Sequence, residues 1–290
     1  MPVRARTGLT LAELAVVIAL LGVLGGAIGS VLVRQQRFTA DASVRLRLSE
    51  GVRDAMEIVA ADIRGTSPAD TIRLLADSAL ELYAGIGTSI VCRAASSTAF
   101  ALAAEHSSDN TLTGFLVQPD TGDLALLYVG DGAGRRWERH RIVSFGAKSP
   151  GAGCLLDDAD PREGFTLTVQ SPPAGTVGRG TPVRFIRRGR YSHYRSSDRE
   201  WYLGYRRCNA MGASICGAIQ PVSGPYRGYD SDRAKTGLLF EYFDDRGEVV
   251  SGELPLSVAR IDITARAGNP AREAGRRVAD SATASIAIRN

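Results

Sequence analysis

Lysine is almost missing from this chain. Lys148 and Lys235 are the only two, so arginine supplies nearly all of the 35 basic residues set against 31 acidic ones. A formal charge of +4 carried on arginine fits a phosphate-bearing partner, and equally the residue usage of a GC-rich genome. Histidine is scarce too: His106, His140 and His193 fall in different segments and share no spacing. Nothing reads G-x-S-x-G, H-E-x-x-H or a phosphate-binding loop, so the sequence carries no signature of a nucleophile-elbow hydrolase, a zincin or a P-loop NTPase. Gly130-Asp131-Gly132-Ala133-Gly134 lacks the last spaced glycine of a dinucleotide loop and reads as a turn. Asp157, Asp158, Asp160 and Glu163 are rich in oxygen ligands, but Pro161 and Arg162 interrupt them and the EF-hand order is missing; a solvated loop is expected, as for Asp230-Ser231-Asp232. No residue set points to an enzyme, a cofactor or a metal.

There is no C-x-x-C pair among the four cysteines, Cys92, Cys154, Cys208 and Cys216, and no histidine stands beside one at ligand spacing. An even number in an exported domain suggests disulfides, and four cysteines allow three connectivities. Cys208 and Cys216 bracket a short loop with Asn209 and Gly212, which favours that bridge and leaves Cys92–Cys154 as the second. Four buried free thiols are the competing reading.

The chain also lacks an ordinary secretory signal, in which a short apolar core precedes a small-residue cleavage site. Here the small residue, Gly8, comes first, and the apolar run Leu9 to Val33 is 25 residues long. As a helix it would measure about 37 Å, enough to cross a hydrocarbon core of about 30 Å. Arg4 and Arg6 precede it and favour a cytoplasmic N-terminus, although Arg34 and Arg37 follow. Gly22-x-x-x-Gly26 and Gly25-x-x-x-Gly29 have the small-residue spacing that lets helices approach closely. Glu13 is the anomaly: an ionised carboxylate there costs at least about 2.5 kcal/mol and needs a partner. Cleavage after Gly8 would create one, the α-amino group of Leu9.

Gly8-Leu9-Thr10-Leu11-Ala12-Glu13-Leu14 followed by an apolar run resembles the cleavage and methylation motif of type IV prepilins and type II secretion pseudopilins. The resemblance covers about the first 30 residues. It implies a prepilin peptidase that cuts between Gly8 and Leu9 and methylates the Leu9 amine, and a Glu13 that supports assembly with other pilins or pseudopilins. It implies further a single-pass protein of the inner (cytoplasmic) membrane, with its head periplasmic or extracellular, that passes into a pilus or pseudopilus. Ala12 replaces the usual larger aliphatic residue, and Leu9 the commoner phenylalanine or methionine. Ser30 stands where major pilins carry a proline, which points to a minor component.

Beyond Arg34, Val44, Leu48, Val52, Met56, Val59 and Ile63 recur at spacings of three and four, one face of an amphipathic helix. Gly65-Thr66-Ser67-Pro68 should end it. Strand patterns follow at Leu80–Tyr83, Ser89–Cys92, Phe165–Val169, Val183–Ile186, Val258–Ile263 and Ala282–Ile288. Phe115–Val117 and Leu124–Val129 are expected to pair as a hairpin through Pro119–Asp123, and Leu238–Phe243 with Glu248–Val250 through Asp244–Gly247. Residues 146–164 and 266–277 read as loops, and Ser171–Thr181 as linker-like.

The expected fold is therefore α+β and pilin-like. A leader (1–8) precedes a membrane or filament-core helix (9–33), its amphipathic continuation (34–64) and an antiparallel β-rich head (65–290). The C-terminal third resembles large minor pilins of the PilW and GspJ type. Its arginine-rich strand leads into Tyr/Trp-bearing strands, Phe240-Glu241-Tyr242-Phe243-Asp244 runs into a glycine turn, and the chain closes on Arg289-Asn290. One segment suggests a partner of another class. Between Arg184 and Arg207, Arg187, Arg188 and Arg190 alternate with Tyr191 and Tyr194, the ingredients of single-stranded nucleic-acid binding. The plainer reading is a strand with a basic outer face.

Overall fold

A computed structural model of the chain describes residues 11–66, 74–104, 112–131, 134–147, 164–209, 216–250, 257–268 and 279–288. Helix α1 runs unbroken over Leu11–Gly65, 55 residues or about 80 Å. It ends where the breaker cluster begins: the Thr66 hydroxyl donates to Asp62 O (2.9 Å) and lies 3.0 Å from Tyr83 O. The last turn also comes so close to the neighbouring strand that a Cβ on Gly85 would sit 3.1 Å from Gly65 O.

Thirteen strands follow among the described residues: β1 (Leu74–Ala76), β2 (Ala79–Ala94), β3 (Ala99–Leu102), β4 (Gly114–Phe115), β5 (Leu124–Val129), β6 (Arg136–Ala147), β7 (Phe165–Val169), β8 (Pro182–Arg195), β9 (Trp201–Arg207), β10 (Gln220–Tyr226), β11 (Leu238–Phe243), β12 (Arg260–Gly268) and β13 (Ala279–Ala287). All pairings are antiparallel. The larger sheet runs β1-β2-β3-β7-β6-β5-β8-β9-β10, with β4 beside β2, and the smaller runs β11-β12-β13. Because β2 also pairs β8 over eleven positions, β2, β3, β7, β6, β5 and β8 close into a ring. Its members bury one apolar cluster, including Ile86, Val91, Phe100, Leu127, Ile142, Leu167 and Phe185.

The second core lies between the sheets. Leu48, Val52, Ala55, Val59, Ala60 and Ile63 of α1 are buried against Leu80, Leu82, Tyr191 and Leu203 of the larger sheet and Phe240, Ile261, Ile263 and Ile286 of the smaller. The expected helical face is thus the buried one, with Met56 partly covered. The side chain of Val44 lies outside the described residues. Hydroxyl groups fasten the same helix within its buried half: Tyr226 Oη donates to Gly51 O (2.6 Å) and Ser223 Oγ does so at 3.0 Å.

Three expectations need correction. Leu80–Tyr83 and Ser89–Cys92 belong to one 16-residue strand, β2. The hairpin between Phe115–Val117 and Leu124–Val129 does not form: β4 is two residues long and pairs β2, while β5 pairs β6 and β8. The turn itself exists, with Asp123 N–H donating to Asp120 O (3.1 Å). What redirects the chain is Phe115, whose ring packs on Phe145, Phe165 and Phe185 at centroid distances of 5.2 to 5.7 Å. Room for it comes from Gly87, where a Cβ would lie 2.5 Å from the ring. The second expected hairpin does form, its return arm reduced to a bridge at Val249 and a bond from Val250 N–H to Tyr242 O (2.8 Å). The expected loops are shorter than read, since β6 reaches Ala147 and β12 reaches Gly268; residues 148–163 and 269–278 lie outside the described residues. Ser171–Thr181 joins β7 to β8 within one sheet.

Candidate functional site

The two halves of α1 stand in opposite environments. From Leu48 to Ile63 its apolar face is buried. From Leu11 to Val33 its large apolar side chains are exposed, Leu11 at 87% and Val23 at 71%, and Phe38 and Leu46 extend the exposure. Soluble monomers rarely show a contiguous apolar patch larger than a few hundred Å2, so this half is built to be covered by something else. It is long and apolar enough to cross a membrane. Glu13 lies in its first turn, with an exposed side chain. Outside the helix's own backbone, Gly22, Gly25, Gly26 and Gly29 have open space where a Cβ would sit. Gly8 and Leu9 lie outside the described residues.

The arginine segment is mostly internal. Arg187 holds Asp123 with Nη2–Oδ2 at 2.7 Å and Nε–Oδ1 at 3.0 Å, and Arg207 reaches the other side of the same carboxylate at 3.0 Å and Asp120 at 2.9 Å. The Arg207 bond, with the Thr121 amide, holds the Asp120 carboxyl below its usual range. Arg188 is buried on the opposite face of β8; it donates Nε to Glu81 Oε1 (2.7 Å) and Nη1 to Asn209 O (2.8 Å). Tyr191 faces the helix and donates to Asp62 Oδ2 (2.6 Å). Burial pushes the Asp62 carboxyl up, and the Tyr191 bond only partly offsets it. Arg190 and Tyr194 remain half-buried. Three of the five residues named for nucleic-acid contact therefore face acidic partners inside the protein. Alternation could have shown part of this, since Phe185, Arg187, Gly189 and Tyr191 share one face of β8; it gives no signal for Arg188, which is buried on the other face.

Cys208 and Cys216 form a disulfide across an isolated β-bridge. Cys92 is disulfide-bonded as well; its expected partner, Cys154, lies outside the described residues. Glu81 approaches both sulfurs of Cys208 and Cys216 within 4.8 Å, but those sulfurs bond each other and the carboxylate is engaged by Arg188. His140 and His193 are buried on different strands, and burial beside Trp201 lowers His193 to about 4. His106 and the acidic group Asp157–Glu163 lie outside the described residues. Asp230-Ser231-Asp232 is satisfied within its own turn, where Asp232 pairs Lys235 at 2.9 Å.

These features define a class: an α+β protein whose long N-terminal helix is half core element, half exposed apolar rod long and apolar enough to span a bilayer. No family model, no curated protein and no solved structure matches the chain.

Proposed function

We propose that this chain is a minor pilin or pseudopilin. It is cut between Gly8 and Leu9 by a prepilin peptidase, methylated on the Leu9 amine, and assembled from the inner membrane into a type IV pilus or a type II secretion pseudopilus. The observation that carries the reading is the division of α1. One continuous helix plants its C-terminal half in the head core and holds its N-terminal half clear of the head, where lipid before assembly and neighbouring helices afterwards can cover it. Glu13 sits at the start of that half. Paired with the Leu9 amine of an adjacent subunit, it removes two isolated charges from an apolar bundle at once. The glycines at 22, 25, 26 and 29 let those neighbouring helices approach closely.

The head contributes shape rather than chemistry in this reading, and the protein's own reaction is to be a substrate. A nucleic-acid or surface-binding role for the segment 184–207 draws little support, because Arg187, Arg188 and Tyr191 are used internally. The test separates processing from assembly. Glu13→Ala should still be cleaved yet be missing from sheared filaments; recovery of the variant in filaments at the wild-type level would remove the role given to Glu13.

A further inference from the structure

The end of β9 is tied down on both of its faces. On one, Arg207 pairs Asp120 and Asp123; on the other, Cys208 lies beside Glu81. The backbone is fixed as well. Cys208 N–H donates to Arg188 O (2.9 Å) and Gly217 N–H to Arg207 O (2.8 Å), so Cys208 and Cys216 meet across the neck of a loop. That neck serves the buried Arg188–Glu81 ion pair twice. Asn209, the next residue, turns its carbonyl to Arg188 Nη1 (2.8 Å), and the two sulfurs lie within 4.8 Å of a Glu81 carboxylate oxygen. The side chains of Arg188 and Glu81 are 2% and 5% exposed, so on this side the carboxylate meets disulfide sulfur where an open site would offer water.

Charges taken out of water need good pairing geometry and acceptors for their remaining donors. Here one covalent bond holds both the acceptor at Asn209 and the wall beside Glu81. We propose that the Cys208–Cys216 bond is a redox latch on the Arg188–Glu81 pair: oxidation closes the pair off from water, and reduction lets water reach it. Closing passes two electrons and two protons from the two thiols to the disulfide of a small thiol or an oxidoreductase, which leaves as two thiols. Opening is the same exchange reversed. Cys216 is half-buried and Cys208 buried, so an incoming thiolate attacks the Cys216 sulfur and Cys208 leaves as a thiolate that takes a proton from water. A second thiol then releases Cys216 from the mixed disulfide. A latch of this kind completes the head only in a compartment where disulfides form. That timing rests on the exported orientation proposed above; the coupling between the bond and the ion pair does not.

The test uses full-length protein in detergent and phenylglyoxal, which labels guanidinium groups, with the labelled sites mapped by peptide mass. In the oxidised protein Arg188 should be shielded and the exposed Arg246 labelled. Cys208→Ser/Cys216→Ser removes the latch and leaves the Cys92 bridge. In that variant the labelling rate of Arg188 should rise about tenfold or more, as a local opening requires. Arg187, held by Asp123 on the opposite face of β8, should keep its rate, which separates opening from loss of the fold. Should Arg187 rise too, wild-type protein decides the matter. It is reduced stepwise with dithiothreitol and capped with iodoacetamide, and Arg188 is read in the molecules where Cys208 and Cys216 alone are free. Arg188 equally shielded with the latch open would overturn the proposal, as would labelling that rises only together with Arg187 in both experiments. Neither result touches cleavage after Gly8, so failure here and failure of the filament reading are separable.

Discussion

Arg188 of β8 and Glu81 of β2, 107 positions apart, form an ion pair in which both residues are almost wholly buried. Taking two charges out of water costs several kcal/mol each, and the pairing and the added Asn209 carbonyl work to offset it. Arg188→Met should therefore destabilise the head by about 3–5 kcal/mol, because Glu81 stays buried without its cation. The double change Arg188→Met/Glu81→Leu should recover most of that loss. Arg190→Ala, at a half-buried neighbouring position, should cost about 1 kcal/mol or less. Denaturant midpoints of the three proteins check the ranking.

The helix sets where the chain can be cut. Residues 48–63 supply one wall of the core between the two sheets, so the head is not closed at residue 65. A chain beginning at residue 34 should fold cooperatively. One beginning at residue 65 should expose Leu80, Phe240, Ile261 and Ile263 and aggregate or bind an apolar dye. A cooperative, dye-silent unfolding transition for the 65–290 chain would contradict the two-sheet core.

Two buried groups give opposite pH trends. His193 is held neutral, with its pKa lowered from the ordinary 6.5 to about 4. Its contribution is present above pH 6.5 and is lost as pH falls toward 4, about 3 kcal/mol over that window. Asp62 is raised by burial, so its carboxyl binds a proton more tightly when folded and its penalty grows as pH rises above 3.8. Asp62→Asn should raise stability at pH 7 and matter little in acid. Tyr191→Phe should lower it at pH 7 by about 1–3 kcal/mol, since the carboxylate loses its donor. His193→Gln should flatten the curve between pH 4 and 6.5. Thermal scans across pH 3.5–8 read all three.

The helix was legible from its period: Leu48, Val52, Val59 and Ile63 are buried as their spacing requires, and Gly65-Thr66 ends the run. Most strands were legible from alternation. Their partners were not, because pairing is decided by contacts far apart in sequence. Phe115 follows the aromatic cluster rather than the nearer strand, and the β2–β8 pairing joins segments about a hundred residues apart. The arginine segment misled for a related reason. Composition gives the charges, but the acids that neutralise them, Glu81, Asp120 and Asp123, come from other strands and turns.

In the proposed reading, processing depends on the residue before the scissile bond. Gly8→Ala should leave the precursor uncut, seen as a band heavier by the leader; mature-sized protein in that variant would contradict the cleavage assignment.

The intact mass of the native protein, isolated from cells with an active prepilin peptidase, is the most direct measurement. A chain beginning at a singly methylated Leu9 is the expected result. A native chain that keeps residues 1–8 would contradict the account at its root.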